Sequence, residues 1–108
     1  FTTVWQRQKK GDYKWVMDQG DALAEPLKAP EMIAGKVADC SVAAPAFGIA
    51  EAADEGTKVD ERQGWSEDRS LGWHCAVSSD GKRNCIVLMW LAGEMREVLT
   101  SNVAAPAP

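Results

Sequence analysis

At 108 residues the chain is the size of one domain, able to bury a single modest core. A net charge of −4 and a pI of about 4.9 exclude an overall basic surface for a nucleic-acid backbone. No run approaches the roughly 18 apolar residues of a membrane-spanning helix, and the longest, Cys85 to Ala92, is of strand length. The acidic residues gather between Glu51 and Asp68. Gly56 falls in no frame that would make this stretch a hard-cation loop, so it reads as a solvated segment. Phe1 is not a translation start, and the expectation is that an upstream segment has been removed.

The segment from Phe1 to Asp18 reads as two strands. Thr2, Thr3, Val4 and Trp5 favour β structure, as do Tyr13, Trp15 and Val16. Lys9-Lys10-Gly11 between them suits a three-residue hairpin loop with glycine in the left-handed position. That loop centres the register on residue 10 and sets Trp5 opposite Trp15. Packing within a sheet is the ordinary use of such a pair, and a ligand platform is the other.

Gln19 to Ala53 is rich in Ala, Pro, Met and Leu. Pro26 and Pro30 break any long helix, but Met32, Ile33 and Val37 recur at helical spacing, which predicts a short helix over Glu31–Asp39. Ser41 to Ile49, with Pro45, reads as an edge strand or buried loop. Glu51 to Ser70 reads as a long loop with at most one helical turn. Leu71–Ser78 and Lys82–Leu91 then flank Ser79-Asp80-Gly81 as a hairpin. Ala92-Gly93 turns the chain again into Glu94–Thr100, completing a three-strand meander. The middle strand is apolar on both faces and calls for cover on both, whereas the third suits an edge or half-exposed position. The tail, residues 104–108, reads as flexible.

A loop centred on Asp80 sets Cys75 directly opposite Cys85 at a non-hydrogen-bonded site, where Cα atoms approach to roughly 4.5 Å and a disulfide can form. Such a bond points to an oxidising compartment, periplasmic or secreted. Cys40 is left as a buried thiol or as the partner of another chain or segment, and rearrangement to Cys40–Cys75 or Cys40–Cys85 is the rival pairing. Cys40, His74, Cys75 and Cys85 are zinc-ligand types. However, His74 and Cys75 are adjacent on a strand and leave opposite faces, so no metal is expected. His74 is the sole histidine and the obvious base near neutral pH; nothing in the spacing supplies it with a nucleophile.

The opening Phe1-Thr2-Thr3-Val4-Trp5-Gln6-Arg7-Gln8, followed by Gly11-Asp12-Tyr13-Lys14-Trp15-Val16-Met17-Asp18-Gln19-Gly20, resembles the final hairpin of SnoaL-like, ketosteroid-isomerase-like proteins. There a strand reading T-V-W-x-R-Q meets a glycine turn and an aromatic-x-V strand ending in Asp. The resemblance implies a cone fold, in which a curved antiparallel sheet wraps helices around an apolar cavity. It also implies that a missing N-terminal segment completes the fold. Asp18 is the one polar site candidate it offers, and no catalytic residue carries over.

The sequence therefore predicts an α+β, mainly antiparallel β, single domain over residues 1–103. It has about five strands in hairpin and meander order and one or two short helices. Trp73, Trp90, Val77, Val87, Met89, Trp5 and Trp15 form the expected core, with Trp65 undecided. The expected function is non-catalytic binding or a structural role, through Trp5, Trp15 and Asp18, without a cofactor, toward a protein partner or a small apolar ligand. The alternative is the C-terminal part of a cone-fold enzyme or ligand-binding protein acting on a small apolar molecule.

Overall fold

Glycine turns set three of the four strand pairings. The computed structural model describes residues 1–40 and 58–107 and places six strands in two antiparallel sheets. By contact the chain divides into two units, Phe1–Lys36 and Val37–Pro108.

In the first unit, β1 (Thr2–Arg7) and β2 (Tyr13–Gln19) form a hairpin. The Gln8 N–H donates to the Asp12 carbonyl at 2.7 Å, and Gly11 N–H donates to the Gln8 carbonyl at 2.9 Å, with Gly11 at φ 90°. This left-handed position is one that glycine adopts without steric cost. The register follows the expected centre at residue 10 as far as Trp5↔Trp15, where a bulge intervenes and Val4 pairs with Met17. Val16 is the extra residue.

The second unit is a four-stranded sheet of order β3-β4-β5-β6: Lys58–Trp65, Leu71–Ser78, Arg83–Leu91 and Glu94–Val103. The turn between β4 and β5 repeats the geometry of the first hairpin. Ser78 N–H donates to Lys82 carbonyl and Gly81 N–H to Ser78 carbonyl, both at 2.9 Å, with Gly81 at φ 91°. Cys75 pairs with Cys85 as expected. The two are joined by a disulfide with a Cα–Cα distance of 4.1 Å. Ala92 and Gly93, at φ 51° and 80°, make the primed turn that matches the twist of a two-residue hairpin loop.

Two tryptophans lock β3 to β4. Gly64 pairs with Trp73, and Trp65 pairs with Gly72. Neighbouring residues on a strand face opposite ways, so one tryptophan covers each face of the sheet. A Cβ at Gly64 would lie 2.5 Å from Trp73 Nε1, and one at Gly72 would lie 2.7 Å from the Trp65 ring. Each indole therefore lies directly on the glycine across from it, as aromatic rings do when they cover a strand glycine. Arg69 adds its guanidinium to Trp65, 5.6 Å from the ring centroid.

Asp68 holds the turn between these strands. Its Oδ1 accepts from Ser70 Oγ at 2.7 Å, Ser66 Oγ at 2.8 Å and Ser70 N–H at 3.0 Å. These bonds, the Ser70 hydroxyl first, hold the carboxyl well below the usual carboxylate range. A depressed folded-state value means the contribution to stability is complete above the unfolded carboxylate value, about 3.9. It is then lost as pH falls toward the folded value. Urea titrations between pH 5 and pH 2 should show wild-type stability falling with pH, and Asp68→Asn should make the fall shallower. An unchanged slope in the variant would remove Asp68 from the acid response.

Several expectations are corrected. The described residues contain no helix, so the fold is all-β, with six strands rather than about five. Glu31–Asp39 is not helical. Its apolar stripe has nothing to pack on, Met32, Ile33 and Val37 being 76%, 97% and 85% exposed. A segment this short does not hold helix unaided, and Gly35 adds about 1 kcal/mol against it. Within the stretch read as a loop, Lys58–Trp65 is β3, because pairing with β4 outweighs the weak β propensity of Asp60, Glu61, Arg62 and Gln63. Trp73, Met89 and Trp90 are buried, whereas Trp5 and Trp15 are exposed. Val77 and Val87 are half-buried. The expectation for Ser41–Ile49 lies outside the described residues.

Candidate functional site

Directly opposed residues of an antiparallel pair share a face. In the first hairpin the pairs Thr3↔Asp18, Trp5↔Trp15 and Arg7↔Tyr13 line one face, and Thr2↔Gln19, Val4↔Met17 and Gln6↔Lys14 line the other. The two faces are unlike. Met17 and Gln19 are buried on the second, while on the first Trp5, Tyr13 and Trp15 are 58%, 61% and 63% exposed.

The bulge decides where Asp18 goes. With the register of the hairpin tip carried through, Asp18 would oppose Thr2 and fall on the Val4 face. The extra residue, Val16, shifts the pairing by one, and a one-residue shift moves a side chain to the other face. Asp18 thereby joins the tryptophans, and its Oδ1 accepts a 2.8 Å hydrogen bond from Thr3 Oγ1. The three binding residues expected from sequence, Trp5, Trp15 and Asp18, thus share one surface.

Sequence reasoning missed Tyr13 and Arg7 as members of this face. The signal was present, since a register centred on residue 10 sets them opposite each other on the side of Trp5 and Trp15. The Arg7 guanidinium lies toward the turn, 3.8 Å from where a Cβ on Gly11 would be. With Arg7, Lys9 and Lys10 against the one carboxylate of Asp12, the tip is net basic, while Asp18 and the following Asp21 sit toward the opposite end. The open face therefore has three rings between a cationic end and a carboxylate end. Rings of this kind offer flat, weakly hydrated surfaces with polar edges.

The other chemistry-bearing residues are committed elsewhere. His74 is 3% exposed, and its Nε2 lies 3.1 Å from Glu61 Oε2 across the β3–β4 pair. Its Nδ1 faces no polar partner. Cys75 and Cys85 are consumed by their disulfide. Cys40 is an exposed free thiol, with Sγ 3.5 Å from Ser70 Oγ, so the buried-thiol expectation is replaced by an accessible one. Among the described residues, no group of three or more His, Cys, Asp or Glu side chains could hold a metal ion. No described helix is long and apolar enough to cross a membrane. Comparison of the chain with protein-family models, with curated proteins and with solved structures found no match.

Proposed function

We propose that this chain is a non-catalytic binding module of an oxidising compartment, meeting its ligand through the open face of the first hairpin. One observation carries the reading: Trp5, Tyr13 and Trp15 stand together on one sheet face, each more than half exposed. Contiguous exposed apolar surface on a soluble domain marks an interaction site more often than it does an accident of packing. The Cys75–Cys85 bond supports export, because cytosolic thiols are kept reduced.

A titration with the aromatic dye 1-anilinonaphthalene-8-sulfonate tests the surface. Saturable fluorescence enhancement is expected with the wild-type chain and should be lost in Trp5→Ala/Trp15→Ala. Equal enhancement in the double variant would overturn the assignment.

A second reading has one observation in its favour. The β1–β2 hairpin forms a sheet of its own, not joined to β3–β6, and a two-stranded hairpin alone is of marginal stability. On this reading the hairpin completes a SnoaL-like cone sheet, as its resemblance to that family's last hairpin implies. The ligand would then be a small apolar molecule within the cone.

A further inference from the structure

We infer that the open face of the β1–β2 hairpin binds a short acidic oligosaccharide, with sugar rings stacked on Trp5, Trp15 and Tyr13 and the anionic group held at the Arg7 end. The inference rests on the reading of this face as the binding surface.

Three properties of the face select this chemistry together. The first is its aromatic make-up, for the Trp5↔Trp15 and Arg7↔Tyr13 pairs supply two tryptophans and a tyrosine. The C–H face of a pyranose carries partial positive charge and packs on the negative face of an aromatic ring. The second is length. From the Arg7↔Tyr13 pair to the Thr3↔Asp18 pair is four residues of strand, about 13 Å, enough for a short oligosaccharide and long for a single small molecule. The third is the charge at the two ends. Arg7, Lys9 and Lys10 at the tip complement an acid group, and a guanidinium forms paired hydrogen bonds with a carboxylate. Asp18 at the other end, already accepting from Thr3 Oγ1, has acceptor capacity for sugar hydroxyls, since an ionised carboxylate accepts at several lone pairs.

The same features disfavour the other polyanions. A bilayer of anionic lipid lying on this face would set its surface charge against Asp18. A single strand of nucleic acid would stack on the rings, but its evenly spaced phosphates would also meet Asp18. An oligosaccharide with its charge at one end avoids that repulsion.

The experiment uses the full chain and follows intrinsic tryptophan emission and calorimetric heat. The probe is aldotriouronic acid, a xylobiose carrying one glucuronic acid at its end, compared with neutral xylotriose, phosphatidylglycerol vesicles and an oligothymidylate. The expected result is a saturable response to aldotriouronic acid, with affinity falling about 10-fold or more in Trp5→Ala/Trp15→Ala. In Arg7→Gln, which leaves every ring in place, affinity should fall to that of the neutral sugar. No saturable response to aldotriouronic acid would overturn the inference, as would equal binding by the neutral sugar or a stronger response to vesicles or oligothymidylate. Should the double variant lose dye binding while aldotriouronic acid gives no response, the acidic-sugar assignment fails and the binding face stands. Should the dye binding survive in the double variant, the face itself is wrong.

Discussion

Trp73→Ala is expected to cost about 3–5 kcal/mol, the usual loss for emptying a buried tryptophan site. Trp73 is 8% exposed, lies between Gly64 on β3 and Val87 on β5, and covers a glycine that has no side chain to replace it. A small domain has only about 5–15 kcal/mol in total. At about 4–8 °C for each kcal/mol, the melting temperature should drop by well over ten degrees in a thermal scan followed by far-UV circular dichroism. The complementary change separates contact from volume. Gly64→Ala places a methyl group where the Trp73 ring lies, and overpacking of this kind costs about 1–3 kcal/mol. In the Trp73→Ala background the same methyl group meets no ring, so the two losses should sum to more than the loss in the double variant. Simple additivity would show that the ring does not lie on the glycine.

Removing the disulfide should have the next largest effect. Cys75 and Cys85 are 10 residues apart, and closing a loop of that size in the unfolded chain accounts for about 3 kcal/mol on the chain-entropy argument. Cys85 is 1% exposed, so serine there would add the cost of an unmatched hydroxyl. Cys75→Ala/Cys85→Ala is therefore the cleaner variant. Its urea midpoint should fall, and reductant should shift the wild type in the same direction while leaving the variant unmoved. A wild-type midpoint indifferent to reductant would show that the bond does not stabilise the fold. The hairpin register should persist in the variant, because the Gly81 turn sets it independently.

What could be read from the sequence followed turn chemistry. Gly11 and Gly81 each close a three-residue loop, and each loop fixed a pairing, Trp5 with Trp15 and Cys75 with Cys85. An edge or half-exposed place for the last strand was also legible, since Arg96 and Glu97 lie among apolar residues, and the strand is an edge. β3 was hidden because Asp60-Glu61-Arg62-Gln63 reads as a solvated run. Its place as an edge strand, with those four side chains exposed, is where such residues serve, by discouraging pairing with other chains. The helix over Glu31–Asp39 was an error of the opposite kind, a pattern with no surface to receive it. As for the site, the rings could be placed from the register, but Asp18 reached their face only through a bulge that no residue type announces.

That bulge has two counterparts. Val59 is the extra residue where β3 meets β4, and Val98 where β5 meets β6, just as Val16 is in the first hairpin. In all three strands a valine takes up one step of chain without taking up one step of pairing. The consequence is that the composition of the first hairpin's open face depends on spacing as much as on residue identity. Loss of the single codon for Val16 would change no ring, no charge and no turn. It would nevertheless separate Asp18 from the tryptophans, so in this hairpin a deletion can alter chemistry that many substitutions would leave alone.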